Sequence, residues 1–125
     1  MPPRRRTDPD VGRSAVAVWA RGEADRRTLT TAVRFTLEEL AERAPGNAVE
    51  VRVPPAGAVQ AVEGPRHTRG TPPNVVETDP TTWLGLATGA VTWADAVADG
   101  RVRASGERSD ISALLPLGQE EPAGS

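Results

Sequence analysis

Arg66, His67 and Arg69 form the short run in this chain whose side chains could hold or move a charge. Guanidinium groups offer fork-shaped donors to carboxylates and phosphates, and an imidazole titrates near neutral pH. They sit in Gly64–Pro73, GPRHTRGTPP, and read as an anion or head-group site on a polar loop. The same residues also suit a solvated loop whose polar groups brace its own backbone. A nucleophilic triad would have to recruit Ser105 and Asp110 to His67, and nothing in their spacing supports it. No catalytic residue is therefore assigned. An isomerase or hydrolase built on His67 and its Arg neighbours is the weakest of the functions considered.

A second group is apolar. Trp83 and Trp93, with Leu84, Leu86 and Val97, fall on two short helical segments, and Ile111, Leu114 and Leu115 follow near the end of the chain. Together they could line a cavity for an acyl chain, or they could fill an ordinary core. Only four aromatic residues are present, Trp19, Phe35, Trp83 and Trp93, so a core of this size needs them in either case.

Residue types narrow the chemistry. Cysteine is absent, which removes disulfides, thiol nucleophiles and thiolate metal sites. A single histidine argues against an all-protein transition-metal site, and no calcium-loop spacing occurs. Every basic residue is Arg, so a Lys Schiff base and a phosphate-loop lysine are excluded. Neither a metal nor an organic cofactor is expected. A net charge of −2 gives no bulk attraction to nucleic acid or to an anionic membrane. Arg4–Arg6 lacks the aromatic interleaving of a nucleic-acid footprint and is not followed by a signal-peptide segment. No apolar run approaches the ~20 residues of a membrane span. The expectation is a cytoplasmic protein without integral membrane association.

The elements that position these residues are well punctuated. Residues 1–7 read as a flexible basic arm, 8–117 as one domain and 118–125 as a disordered acidic tail. Asp8-Pro9 caps a short helix with Val11, Ala15, Val18 and Trp19 on one face, ending near Gly22. Asp25 or Thr28 caps a longer helix with a stripe at Leu29, Val33, Leu37, Leu40 and Ala44, stopped by Pro45-Gly46. Val49, Val51 and Val53 alternate with Glu50 and Arg52 as in a half-buried strand, and Pro54–Gly57 turns into a second strand over residues 58–63. Asn74–Thr78 is a third strand. Asp79-Pro80 starts a helix that ends at Gly89, and Thr92 caps another with Trp93, Ala96 and Val97 inward and Gly100 as its stop. Residues 101–104 form a fourth strand with Val102 and Ala104 inward. Ser109 or Asp110 caps a closing helix through Ile111, Leu114 and Leu115, broken by Pro116.

The order strand, Asp cap, helix, Gly break, helix, Gly-rich strand and closing helix over Val75–Leu117 resembles the sterol carrier protein family, in particular its small actinobacterial orthologues. Asp79–Leu84 matches the family's Asp-led first helix. Gly100, Val102, Ala104 and Gly106 match its Gly-x-hydrophobic-x-hydrophobic-x-Gly strand. The stretch Val49–Thr78 is similar to the bacterial branch. The resemblance implies an α+β domain with a mainly antiparallel sheet of about five strands and helices packed on one face. It also implies an apolar tunnel between helices and sheet. The function expected is a non-enzymatic lipid or acyl-ligand binding module, with Trp83, Leu84, Leu86, Trp93, Val97, Ile111, Leu114 and Leu115 at the ligand and Arg66, His67 and Arg69 at its head group. The alternative is a structural or protein-interaction domain with a filled core, a homodimer, or an accessory module to an enzyme.

Overall fold

In the computed structural model, residues 7–64 and 73–118 are described. Helix α1 (Pro9–Ala20) begins where the Asp8 carboxylate accepts the backbone N–H groups of Asp10 and Val11, with Pro9 at the first helical position. Helix α2 (Arg26–Arg43) is capped by Asp25, which accepts from Thr28 N–H at 2.7 Å. Strands β1 (Val49–Val53) and β2 (Gly57–Ala61) form an antiparallel hairpin. Strand β3 (Val75–Thr78) leads into α3 (Pro80–Thr88), then α4 (Trp93–Ala98) and β4 (Val102–Ser105). Asp79 and Thr92 cap these two helices, and α3 ends on Gly89 at φ 88°, a left-handed conformation that glycine adopts without strain.

The sheet order is β2-β1-β3-β4. Both outer pairings are antiparallel, while the central β1–β3 pair is parallel, with Glu50 opposite Val75 and Arg52 opposite Glu77. The four strands read from the period-two pattern are present, each within a residue or two of its expected bounds. The fifth strand implied by the family resemblance is not found among the described residues, so the sheet is corrected to four strands.

One face of the sheet is buried and the other meets water. Val49, Val51, Val53, Val76 and Ala61 are fully buried on the helix side. The open side carries Arg52, Glu77 and Arg103 in one cross-strand row. Arg103 pairs with Glu77 at 2.7 Å and Arg52 with Glu50 at 2.6 Å. These exposed pairs contribute at most ~1 kcal/mol each and keep the face polar. Helix α2 packs over β2 and beside α3, and α1 lies against α2. That sandwiched position explains why α2 buries Ala32, Phe35, Thr36 and Ala41 as well as the Val33–Leu37–Leu40 stripe. The stripe serves the sheet; Phe35 meets α1.

Four expectations need correcting. Val11 is 56 % exposed, and the inward face of α1 is instead Gly12, Ala15, Val16 and Trp19. At Gly12 the absence of a side chain lets α1 settle directly onto the Phe35 ring. Val97 is 42 % exposed. Ala96 sets the inward face of the six-residue α4, and Val97 stands about 100° around the helix from it. Ala104 is exposed although Val102 is buried, because α4 is tied to the start of β4 by the bond from Arg101 N–H to the Ala96 carbonyl (2.9 Å), and Ala104 lies beyond that cover. Finally, the closing helix is a single 3₁₀ turn over Ser112–Leu114, with Asp110 accepting from Ser112 N–H. Leu115 precedes proline and is extended at φ −117°, ψ 144°, which ends the turn before an α-helix can form.

The cap carboxylates tie this fold to pH. Thr28 N–H holds Asp25 below its usual value, and Ser112 does the same for Asp110. For Asp79, partial burial disfavours the charged form, but the donors at Thr82 outweigh it and the net shift is downward. A carboxylate whose folded value is depressed contributes stability above its unfolded value and loses it as pH falls through the folded one. Unfolding midpoints should therefore hold from neutral pH to about 5 and drop below about 4. Asp79→Ala should lower stability at pH 7 by about 1 kcal/mol and weaken the acid-side drop, which urea titrations at pH 7 and pH 3 would read.

Candidate functional site

The arginine–histidine candidates, Arg66, His67 and Arg69, lie outside the described residues. Of the apolar candidates, Trp83, Leu84, Leu86 and Ile111 are at most 2 % exposed and belong to the core between helices and sheet. Trp93, Leu114 and Leu115 are partly buried against that core, and Val97 is at the surface. The core cluster unites all of these except Val97, yet none of the eight lines any of three grooves formed by described residues.

Two of those grooves are poor sites for an apolar ligand. One, about 430 Å³ at the end of the sheet, is lined by Glu77, Asp79, Arg101 and Arg103 beside Pro54, Thr78 and Gly100. Its two arginines are already paired, Arg101 with Asp99 and Arg103 with Glu77, and the Asp79 carboxylate caps α3 by accepting from Thr82 N–H. Another, about 480 Å³, runs between α1 and the start of α2 past Val11, Val18 and Thr31, and only Ala15 of its lining is buried.

The third groove, about 680 Å³, lies where α1, α2, α3 and the C-terminal segment meet. Its floor is built by Val16 from α1, Phe35 and Thr36 from α2, and Ala87 from α3; Leu117 lies at its edge. Phe35, Thr36 and Ala87 are 6 %, 5 % and 3 % exposed, so the floor reaches the protein interior. Arg13, Glu39 and Thr88 also line it. A bond from Leu117 N–H to the Ala87 carbonyl, 2.9 Å, fixes the C-terminal segment against α3. This volume falls within the ~300–1,000 Å³ of small-molecule sites, and an apolar floor with a few polar groups is their usual lining.

The floor is connected to the expected site by one bond. The Trp83 indole N–H donates to Thr36 Oγ1 at 2.8 Å, and that hydroxyl in turn donates to the carbonyls of Ala32 and Val33. The indole therefore lies directly behind the groove, with its one polar atom satisfied. Arg13 pairs with Asp10 at 2.7 Å, both side chains well exposed, an interaction weak enough to be exchanged for another carboxylate.

The single apolar stripe of α2 does not announce this site: Phe35 and Thr36 lie off the Leu29–Ala44 stripe, and Val16 lies beside the Val11–Ala15–Val18–Trp19 face expected for α1. The available signal was that α1 is itself amphipathic and must bury its apolar side on something; Ala32 and Phe35 are the off-stripe apolar residues of α2 that could receive it.

Among the described residues no cluster of three or more His, Asp or Glu side chains is gathered for a metal ion, and no helix is long and apolar enough to cross a membrane. Residues 25–117, from the α2 cap to the edge of the groove, match the family model described as "Bacterial SCP ortholog". No curated protein matches the chain.

Proposed function

The chain belongs to the family of bacterial sterol carrier protein (SCP) orthologs, and we propose on that premise that it is a carrier module, not an enzyme, for a ligand with an acyl or similar apolar chain. The observation that carries the reading is the 680 Å³ groove with Val16, Phe35 and Ala87 at its floor. Burial of an apolar chain there contributes about 25 cal/mol per Å² removed from water, without any reacting group. Arg13 at the groove is the residue to receive a carboxylate or phosphate head group, as guanidinium forks do. The floor and far edge come from the span shared with the family, whereas Arg13 and Val16 precede it.

Native mass spectrometry with palmitate as the probe tests the reading. A one-to-one adduct that saturates is expected for the unaltered protein. Val16→Glu, which sets a carboxylate into the apolar floor, should weaken it at least ~tenfold, the equivalent of about 1.4 kcal/mol. Retention of full binding by Val16→Glu, or no adduct with the unaltered chain, would remove the groove from consideration.

The competing reading, a structural or interaction domain, draws on the complete burial of Trp83, Leu84 and Leu86, which leaves the interior between helices and sheet packed with side chains.

A further inference from the structure

Arg13 stands between two sites on α1. At about 100° per residue, Asp10 and Val16 lie roughly 60° to either side of it around the helix. Asp10 lines the groove of about 480 Å³, whereas Arg13 and Val16 line the groove of about 680 Å³. The Arg13–Asp10 pair therefore joins a residue of one groove to a residue of the other. It turns the guanidinium toward Asp10, on the side away from Val16.

The fold has little use for this pair. Asp8, not Asp10, caps α1, and the two side chains are 64 % and 91 % exposed, so their attraction adds little to stability. The contact runs from one nitrogen, Nη2, to one carboxylate oxygen at 2.7 Å. A ligand carboxylate or phosphate grips a guanidinium through two parallel bonds, which is the stronger arrangement. Asp10 and such a ligand draw on the same cation.

We infer that Asp10 is a built-in competitor for the ligand's head group, holding Arg13 until an anion that binds it at two points takes its place. The inference rests on the carrier reading of the groove. It makes the site selective by charge. An acyl chain ending in a carboxylate or phosphate gains Arg13 but must displace Asp10. A chain ending in a hydroxyl or amide offers too weak an acceptor to displace it, and is held by its apolar part alone. Asp10 thus sets the threshold that a head group has to pass.

Parallel titrations of the full chain with palmitate and with hexadecanol, read by native mass spectrometry, test it. The two probes share a chain length and differ in charge. Asp10→Asn and Asp10→Ala should each tighten palmitate by about two- to fivefold, the range of an exposed ion pair, and leave hexadecanol unchanged. In an Arg13→Gln background the same substitutions should have no effect, because the cation they compete for is gone. A change in the stability of α1 would instead move both probes. Palmitate affinity that stays level or falls in the Asp10 variants overturns the inference and leaves the groove in place. Equal tightening of both probes overturns it in the same way. Failure of the unaltered chain and every variant to take up either probe removes the groove reading, and this inference with it.

Discussion

Trp83→Ala should lower the unfolding free energy by about 3–5 kcal/mol, the cost of deleting a large buried aromatic. Small domains have only ~5–15 kcal/mol in total, so the variant would be near the edge of folding. The side chain has no solvent exposure and is the largest among the fully buried residues. Around it the core is mostly Val, Leu and Ala, which cannot flow into the space it leaves. The hydrogen bond is a separable part of the effect. Thr36→Val keeps the volume of the floor but strands the indole N–H, which costs about 1–3 kcal/mol. Urea denaturation followed by far-UV circular dichroism should therefore rank Trp83→Ala as clearly more damaging than Thr36→Val. Equal losses would mean that the bond, and not the packed volume, holds α2 to α3.

Gly12→Ala should also destabilise, against the trend for glycine in a helix. Replacing an exposed helical glycine with alanine ordinarily gains about 0.5–1 kcal/mol. Here the new Cβ would stand 2.7 Å from the Phe35 Cβ and closer still to its ring, and Phe35 is buried. Forcing α1 off α2, or the ring off its position, costs about 1–3 kcal/mol and outweighs the gain. Because Phe35 is also the groove floor, the same substitution should weaken palmitate binding roughly tenfold, about 1.4 kcal/mol. Ser14→Ala, on an exposed turn of the same helix, is the control: it changes propensity alone. If Gly12→Ala proved as stable as that control, the close approach of the two helices would not be what shapes the groove.

What could be read from the sequence was local. Asp8-Pro9, Asp79-Pro80 and Thr92 mark helix starts because a side chain two or three residues away satisfies the orphan N–H groups, and Gly89 marks a stop because its φ is positive. The alternation at Val49–Val53 likewise determines which face of β1 is buried. Features made by distant segments were not legible in the same way. The parallel pairing of β1 with β3 joins strands separated by β2 and a long connection, and neither strand's residues encode that neighbour. Phe35 breaks the single stripe on α2 because that helix is covered on two sides, and only the docking of α1 reveals it. The groove gathers Val16, Phe35, Ala87 and Leu117 from four separate segments, so no spacing along the chain announces it. Of the Trp and Leu residues expected at a ligand, Trp83, Leu84 and Leu86 are buried in the core, and Trp83 reaches the groove floor through its bond to Thr36.

Methyl-resolved NMR during a titration with palmitate is the most direct test of a ligand in this groove. Saturable shifts at the methyl groups of Val16, Ala87 and Leu117 are predicted, with Val11 and Val18 of the neighbouring groove unmoved. The absence of any saturable shift, or shifts confined to Val11 and Val18, would contradict it.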